Sequence, residues 1–292
     1  MNDLSVVCPL CKSRIISLYY RKNRFLPVES FSPAVSDFGV FSDLFRCEAC
    51  RAVFAAEVAS PEELLKSYQS SDHGKYLLEE KNRRRNFQGL IKAIAKYVAA
   101  SQPVRLLDVG ASTGLFLDTV RQKFPHWVLM GIEASSSAVA AGERRYGLKL
   151  HQGMFEASEL EPCSRDCVTM LDFIEHVRTP LEVIISANRC LQPGGILVIT
   201  TPNIQSWTSL LFRQRWWGFR FMHTLYFSPL SMRQMLARGG FRVVEMRGLI
   251  RFFSIGYCLR HLGWIGGRPA INIPFPLSLG DMMVIARKEA QA

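Results

Sequence analysis

From Pro103 onward the chain alternates between short apolar runs and amphipathic stretches, and this alternation constrains the fold more than any other feature. Runs such as "VRLLDVG" and "ILVITTPN" are typical of buried strands, whereas "SSAVAAGERRYG" is typical of a helix. Strands that alternate with helices require right-handed crossovers, which build a parallel sheet covered on both faces. The sequence therefore predicts an α/β fold with a doubly wound sheet, and the last two strands are expected at 240–248 and 281–288.

The first of these strands leads into a turn with two glycines, Gly110 and Gly114, which follow Asp108 by two and six residues. In such a sheet this turn faces the ligand-binding crevice. A dinucleotide site would need GxGxxG and a P-loop would need GxxxxGK[ST], and the turn matches neither. The Asp108 carboxylate favours a positively charged ligand over a phosphate, and Glu133, at the end of the second strand, is placed to accept both hydroxyls of a ribose. S-adenosylmethionine has a ribose, a positive centre and no phosphate.

Six ordered motifs resemble those of class I S-adenosylmethionine-dependent methyltransferases, over about residues 75–290. They are "LLDVGASTG", "GIEAS", "HQGMF", "MLDFIEHV", "LQPGGILVITTPN" and "GDMMVIARK". The "EHV", "LQPGG" and "TPN" elements are similar to the branch that contains quinone-biosynthesis O-methyltransferases and many sugar or lipid methyltransferases. The resemblance implies a Rossmann-like sheet, mostly parallel, with one antiparallel edge strand.

The resemblance also implies which residues bind the cofactor. Asp108, Gly110 and Gly114 would hold its methionine part, and Glu133 would hold the ribose. The family usually has a third glycine where Ser112 stands, and an Asp where Met154 stands. The remaining candidate cofactor-binding residues are Ser112, Met154, Phe155, Leu171 and Asp172.

Two histidines are candidates for the catalytic step. Methyl transfer from a sulfonium is an in-line displacement, and a general base helps when the acceptor is a hydroxyl. His176, just past the fourth strand, is a candidate base because an ordinary histidine pKa of about 6.5 suits proton transfer at neutral pH. The resemblance supports His223 as a second acceptor-side residue. A packing or capping role is the simpler interpretation of either histidine, and a metal site made by Asp172 and Glu175 is a further alternative.

Four cysteines form two CxxC pairs, the pattern of a structural zinc ribbon: Cys8, Cys11, Cys47 and Cys50. Four thiolates fill the coordination shell of a tetrahedral zinc, so the metal would stabilise the fold and would not catalyse. Free thiols are the alternative interpretation. Lys12 and Arg51 stand where such knuckles usually have glycine.

The chain is long enough, and at 48% apolar content rich enough, for one large domain and a small appendage. We expect a zinc-ribbon module at 1–58 and a methyltransferase domain at 59–292, with insertions at about 204–224 and 250–280. The first residues, "MNDLSVVCPL", do not show the basic and then apolar pattern of a signal peptide, no apolar run reaches membrane-spanning length, and the other cysteines are scattered. These features predict a cytoplasmic protein.

Positive charge is concentrated in residues 204–292, which hold 12 Lys and Arg against 3 Asp and Glu and so carry +9 of the net charge of +11. Aromatic and aliphatic side chains interleaved with arginine in the two insertions suit peripheral contact with the inner face of a membrane. Packing around an acceptor pocket is a second interpretation. RNA binding is a third, less favoured because lysine is nearly absent there.

The sequence thus predicts O-methylation of a small-molecule, saccharide or lipid-linked acceptor, with S-adenosylmethionine as cofactor and a structural zinc. One alternative is an RNA methyltransferase that uses the zinc ribbon and the basic tail. The other is a non-catalytic binding module on a methyltransferase fold.

Overall fold

A computed structural model describes residues 6–22, 40–56, 79–155, 160–256 and 273–289. The residues at 57–78, where the methyltransferase domain was expected to begin, and most of the second insertion lie outside the described residues.

Seven strands form the central sheet: β4 (Arg105–Val109), β5 (Val128–Glu133), β6 (His151–Gln152), β7 (Arg165–Leu171), β8 (Leu191–Pro202), β10 (Phe241–Gly248) and β13 (Asp281–Lys288). Their order across the sheet is β10-β13-β8-β7-β4-β5-β6. The strands from β4 to β8 pair in parallel, and β13 runs antiparallel to both β8 and β10. The predicted mostly parallel sheet with one antiparallel strand is confirmed. That strand was expected at the edge, but β10 covers its outer side.

Helices lie on both faces of the sheet, at Glu80–Ile94 (α1), Leu115–Lys123 (α2), Ser136–Tyr146 (α3), Pro180–Cys190 (α4) and Pro229–Arg238 (α6). A further short helix, Trp207–Phe212 (α5), lies in the first insertion. Consecutive strand residues point to opposite faces. Leu106 accordingly belongs to the apolar cluster that includes α1 and α2, and Leu107 belongs to the cluster that includes α4 and α6. This packing holds the carboxyl ends of β4, β5 and β7 at one edge of the sheet.

Local sequence signals set the helix ends. The hydroxyl of Ser135 caps α3 by accepting from the Ala138 N–H, and Gly147 ends that helix with a left-handed φ of 62°. At α6, Ser228 and Ser231 form a capping box, and Pro229 occupies the first turn. These ends agree with the sequence pattern.

A second sheet of four antiparallel strands contains the cysteine pairs. Its strands are β1 (Ile16–Tyr20), β2 (Leu44–Cys47), β3 (Val53–Ala55) and β9 (Leu225–Tyr226), in the order β1-β2-β3-β9. The first three come from the N-terminal module and the fourth follows the first insertion. The two predicted units are therefore joined through a shared sheet.

The described part of the second insertion forms a hairpin of β11 (Arg251–Ser254) and β12 (Pro274–Leu277) that lies against α1. Asn86 Nδ2 donates to the Phe252 carbonyl oxygen at 3.1 Å, and the Phe252 N–H donates to Asn86 Oδ1 at 2.7 Å. These two bonds fix the start of the hairpin. Among the helices in the described ranges, none has both the length and the apolar character needed to cross a bilayer.

Candidate active site

The turn between β4 and α2 has left-handed backbone at three positions: Gly110 (φ 73°), Ser112 (φ 51°) and Gly114 (φ 76°). At Gly110, a Cβ would lie 2.6 Å from the ring of Phe173, so only glycine fits. Ser112 occupies the position where the family usually has glycine. Its N–H donates to Glu133 Oε2 at 2.8 Å, so the serine adopts the glycine-like conformation and connects the turn to the end of β5.

Two carboxylates flank this turn, the buried Asp108 and the half-buried Glu133. Asp108 accepts from the Thr169 hydroxyl at 2.6 Å, and Glu133 accepts from the N–H groups of Ser112 and Ser135, each at 2.8 Å. Burial raises the pKa of Asp108 to about 7, against the effect of the Thr169 hydrogen bond and with support from the Glu133 charge. Burial also raises the pKa of Glu133. A cationic ligand would favour the ionised form of Asp108, because it offsets the cost of a buried negative charge.

The other residues predicted to bind the cofactor have different environments. Met154 is exposed, Leu171 is half-buried at the end of β7, and Phe155 is buried next to Ser186 and Cys190 of α4. Asp108, Gly110, Ser112, Gly114 and Glu133 lie together at the turn and at the ends of β4 and β5. The assignment of these five residues to the cofactor stays a prediction, as does that of Met154, Phe155, Leu171 and Asp172.

Asp172 lies just after β7 in a left-handed conformation, with φ 53°. Its two oxygens accept from the Arg251 guanidinium at 2.8 and 2.6 Å, and one also accepts from the Thr200 hydroxyl at 2.8 Å. The side chain of Asp172 is 44% exposed. Partial loss of water opposes its ionisation, but Arg251 and Thr200 together hold the pKa of Asp172 below its usual value. Because its carboxylate is engaged with Arg251, a metal site shared by Asp172 and Glu175 is not favoured.

Arg251 is a site residue that the sequence reasoning missed. Besides Asp172, it contacts Asp281 at 2.7 Å. It lies 79 residues from Asp172, in an insertion that carries no recognisable motif. The only signal in the sequence was Asp172 itself, because an acid at the end of a strand needs a cationic partner.

The two candidate catalytic histidines meet. His176 ends a one-turn 3-10 helix (Ile174–His176) that follows Phe173, and His223 directly precedes Thr224 and β9. Their ring centroids are 4.8 Å apart, with an interplanar angle of 78°. Phe173, three residues before His176, contacts Gly110, and β7 and β4 are neighbouring parallel strands. The turn that carries His176 and the glycine turn therefore lie at the same edge of the sheet.

Carbonyl contacts orient both rings. His176 Nδ1 lies 3.2 Å from the Met222 carbonyl oxygen, and His223 Nδ1 lies 3.0 Å from that of Gly218. A carbonyl only accepts, so Nδ1 carries the proton and Nε2 carries the lone pair when each ring is neutral. Burial, the His176 charge and Arg220 lower the pKa of His223 well below its usual value, so this ring is neutral at pH 7.

Glu175 completes the cluster. It is buried, and its Oε2 accepts from the Thr201 hydroxyl at 3.0 Å. Burial and the Asp172 charge raise the pKa of Glu175 well above its usual value. The ligand atoms of Glu175, His176 and His223 all lie within 4.8 Å of one another, a donor set that suits a divalent cation. The cluster can act as a base or hold such a cation.

The four cysteines of the N-terminal module are also brought together. The Sγ atoms of Cys8 and Cys50 are 3.6 Å apart, and those of Cys11 and Cys47 are 3.4 Å apart. Ligands about 2.3 Å from a tetrahedral zinc lie about 3.8 Å from one another, so the cluster fits this metal.

The backbone of the cysteine pairs has the conformation of metal-binding knuckles. Lys12 and Arg51 both have a left-handed φ of 62°, as the usual glycines would. Their N–H groups donate to the carbonyl oxygens of Cys8 and Cys47, at 3.0 and 2.9 Å. The two knuckles are therefore equivalent in spite of the missing glycines.

The aromatic residues of the first insertion divide into two sets. Trp216 and Phe219 are buried against the strands of the N-terminal module. The exposed apolar residues lie on or next to α5: Trp207, Leu210, Leu211 and Phe212. The expected interfacial surface is thus confined to one short helix in the described part of this insertion.

A seven-stranded sheet of this order, with a glycine turn after its first strand and an acid at the end of each of its first two strands, is typical of the class I S-adenosylmethionine-dependent methyltransferases. A family model described as a methyltransferase domain matches residues 78–246, more than half of the chain. The chain belongs to this family, as its motifs predicted.

Several curated relatives of the chain are methyltransferases. A ubiquinone biosynthesis O-methyltransferase from Hahella chejuensis is 30% identical over 112 residues, which are 36% of this chain and 46% of that protein. Its counterpart from Maricaulis maris is 25% identical over 171 residues, 52% of this chain and 66% of that one. An uncharacterized transposon protein from Streptomyces fradiae is 31% identical over 109 residues, 36% of this chain and 31% of the relative. The matches thus span between about a third and two thirds of these relatives' lengths.

Solved structures share the fold. One from Thermotoga maritima, described as a possible histamine N-methyltransferase, has a TM-score of 0.52 at 16% identity and covers 74% of this chain and 95% of its own. A methyltransferase from Haloferax volcanii, solved in complex with a methyltransferase activator, has a TM-score of 0.57 at 13% identity, with 80% and 100% coverage. At these identities the likeness shows the fold alone.

Proposed function

We propose that this chain is an S-adenosylmethionine-dependent O-methyltransferase that acts on a hydroxyl of a small-molecule, saccharide or lipid-linked acceptor. The observation that supports it is the meeting of His176 and His223 at the same sheet edge as the glycine turn, which Asp108 and Glu133 flank. The names of the ubiquinone O-methyltransferases among its relatives support a small-molecule acceptor.

The residues have separate tasks in this proposal. Bound S-adenosylmethionine supplies an electrophilic methyl group on a positively charged sulfur. Asp108 and the glycine turn hold its methionine part, and Glu133 accepts from its ribose. The histidine pair orients the acceptor hydroxyl in line with the methyl group, and the Nε2 atom of a neutral imidazole receives the hydroxyl proton.

A divalent cation is a second way to activate the acceptor. Held by Glu175, His176 and His223, it would lower the pKa of a bound hydroxyl and replace the imidazole as the activating group. The proximity of these three side chains is the observation that supports it.

The direct test is calorimetric titration with S-adenosylmethionine and S-adenosylhomocysteine, followed by transfer of a labelled methyl group to lipid and saccharide extracts. Cofactor binding with labelling of a hydroxyl would support the proposal. A protein that binds neither compound would instead be a binding module on a methyltransferase fold, and labelling of RNA alone would support the RNA-modifying alternative.

The packing of α3 against the glycine turn gives a local test of the cofactor site. A Cβ at Gly142 would overlap the Thr113 carbonyl oxygen, so Gly142→Ala must push α3 away from the turn. We expect about tenfold weaker binding of S-adenosylhomocysteine and a free energy of unfolding lower by about 1–3 kcal/mol. Gly89→Ala is the matched control, since nothing lies within 4 Å of its Cβ position in α1. The control should keep its affinity for S-adenosylhomocysteine, and its free energy of unfolding should rise by about 0.5–1 kcal/mol. Equal affinity in the two variants would show that the turn does not hold the cofactor.

We further propose that α5 makes a peripheral contact with an anionic membrane. Trp207, Leu210 and Leu211 are 60–64% exposed on one side of this helix, and the exposed Arg213 and Arg215 follow it. Apolar rings and aliphatic chains next to arginines match the boundary between lipid headgroups and acyl chains.

Sedimentation with phosphatidylglycerol vesicles tests this contact. Leu210→Ser with Leu211→Ser should weaken binding about tenfold even in 0.5 M salt, because each leucine loses the burial of its side chain in lipid. Arg213→Gln with Arg215→Gln should weaken it only at low salt. Binding that disappears in 0.5 M salt, or a preference for RNA over vesicles, would contradict the proposal.

A further inference from the structure

The N-terminal module and the histidine cluster are connected by a single strand. Val53 and Phe54 of β3 pair with Tyr226 and Leu225 of β9. One residue earlier in that segment, the carbonyl oxygen of Thr224 accepts from the Ala55 N–H at 3.1 Å. The last strand of the module therefore fixes the backbone directly after His223.

Thr224 connects this backbone to the other half of the cluster. Its N–H donates to the Glu175 carbonyl oxygen at 2.8 Å. Its hydroxyl lies 3.0 Å from that oxygen and 2.8 Å from the Val177 carbonyl oxygen, either of which can accept. Thr224 is buried, so water does not compete well for these bonds. The turn that carries Glu175 and His176 is thus held to the same segment that the module holds.

A shared apolar core supports the connection. Phe41 of the module lies 5.0 Å from Phe219, Phe219 lies 5.2 Å from Tyr226, and Tyr226 lies 5.7 Å from His223, all between ring centroids. Phe219 follows Gly218, whose carbonyl oxygen orients the His223 ring. Displacing the module would remove one wall of the pocket that holds this histidine.

The cysteines lie where a bound metal would hold two strands of the module together. The second knuckle, Cys47 to Cys50, is the turn between β2 and β3. A zinc bound there would fix the hairpin whose outer strand pairs with β9. A module of this size has a small core of its own, and bound metal contributes much of the stability of such units.

The two acids proposed to bind the cofactor have no such dependence in the hydrogen bonds described above. Asp108 and Glu133 are held by Thr169, Ser112 and Ser135, which all belong to the central sheet and its turns. If the module loses its shape, the histidine cluster should therefore be displaced, whereas Asp108 and Glu133 should keep their positions.

We propose that the zinc ribbon is a structural part of the acceptor side of the active site. Through β9 and Thr224, the zinc-bound ribbon positions Glu175, His176 and His223, so zinc occupancy controls methyl transfer and leaves cofactor binding intact. Thr224 is the positioning residue. This inference rests on the proposed function, which places the cofactor at the glycine turn and the acceptor at the histidines.

The first test compares the zinc-loaded full chain with the same chain after zinc is removed by 1,10-phenanthroline. The affinity for S-adenosylhomocysteine is measured by calorimetry, and diethyl pyrocarbonate labelling of each histidine is followed by peptide mass spectrometry. His223, only 5% exposed, should be labelled at least about tenfold faster without zinc, because the segment that buries it opens. The exposed His126 is the internal control, and its labelling rate should not change.

The second test keeps the zinc and changes only Thr224. Thr224→Val removes the hydroxyl donor with little change in shape, whereas Thr224→Ser keeps the donor. The valine variant should retain its zinc and its affinity for S-adenosylhomocysteine while His223 labelling rises about threefold. The serine variant should behave like the unmodified chain. If the hydroxyl only stabilises the fold, its removal would lower the stability of the protein without a selective rise in His223 labelling.

Three outcomes would overturn the inference. His223 could stay protected after zinc removal, the valine and serine variants could label alike, or S-adenosylhomocysteine binding could disappear together with the zinc. A zinc-loaded chain that never binds S-adenosylhomocysteine would contradict the proposed function instead, so the two failures are distinguishable.

Discussion

Asp108→Asn is expected to weaken S-adenosylmethionine binding about 100-fold at pH 7.5, which corresponds to the loss of one strong charge-assisted hydrogen bond. In the unmodified chain the pKa of Asp108 is raised to about 7, mainly by burial. Between pH 6.0 and 7.5 the ionised fraction of a group with this pKa rises about eightfold, so the affinity should rise by a similar factor. The asparagine variant should lose this pH dependence.

Binding should also release a proton near pH 6.5. Calorimetry in two buffers of different ionisation enthalpy measures that release directly. The observed heat should depend on the buffer for the unmodified chain and not for Asp108→Asn. An affinity that stays constant from pH 6.0 to 7.5 would show that Asp108 does not face the cationic ligand.

The thermal stability of the same variant is the control against misfolding. The folded pKa of Asp108 lies above the unfolded value of about 3.9, so the folded state binds the extra proton and stability falls as pH rises from about 4 to about 7. The asparagine keeps an acceptor for the Thr169 hydroxyl and carries no charge. Its melting temperature at pH 8 should therefore equal or exceed that of the unmodified chain. A lower melting temperature would mean that the lost affinity reflects damage to the fold.

The sequence predicted the central sheet well because its signals are local. Apolar runs marked the strands, and residues such as Gly147 and Ser228 marked helix ends through conformations that only nearby residues determine. The glycine turn was also predicted from the sequence. That Ser112 would adopt the conformation of a glycine could not be predicted, because this conformation is stabilised by Glu133, a carboxylate 21 residues away.

The pairing of strands that are far apart in the chain could not be predicted, because no local signal marks it. β9 is two residues long and has no period, and its partner β3 lies about 170 residues earlier. Trp216 is buried in the apolar cluster that surrounds this pair of strands. From its neighbours in the sequence, which are aromatic residues and arginines, it was expected at an interfacial surface, but in the structure it is a core residue. Arg251 likewise acquires its role from a hairpin that returns to the end of β7.

His223→Asn is expected to lower kcat about 100-fold or more while S-adenosylmethionine affinity changes by less than about twofold, because a general base typically contributes 10²–10⁴-fold. Asparagine can still donate to the Gly218 carbonyl oxygen, as His223 Nδ1 does, but it lacks the Nε2 lone pair. His176→Asn tests the partner ring in the same way through the Met222 carbonyl oxygen. His126→Asn, at an exposed position, is the matched control.

The pH profile distinguishes this base from an ordinary histidine. Burial and the neighbouring charges hold the pKa of His223 well below its usual value of 6.5, so the ring stays neutral through the physiological range. For the unmodified chain kcat should therefore be flat from about pH 6 to 8, whereas an unperturbed histidine would give a rise centred near pH 6.5. A midpoint near 6.5 would assign the proton transfer to another group.

The same assay separates a base from a cation held by Glu175, His176 and His223. If the imidazole takes the proton, brief exposure to EDTA that removes no metal from the cysteine cluster should not change kcat. If the cluster holds a catalytic cation, EDTA should abolish turnover and added Mg²⁺ or Mn²⁺ should restore it. Full turnover by both His176→Asn and His223→Asn, with or without metal, would remove the pair from the mechanism and leave positioning of the acceptor as the main source of rate acceleration.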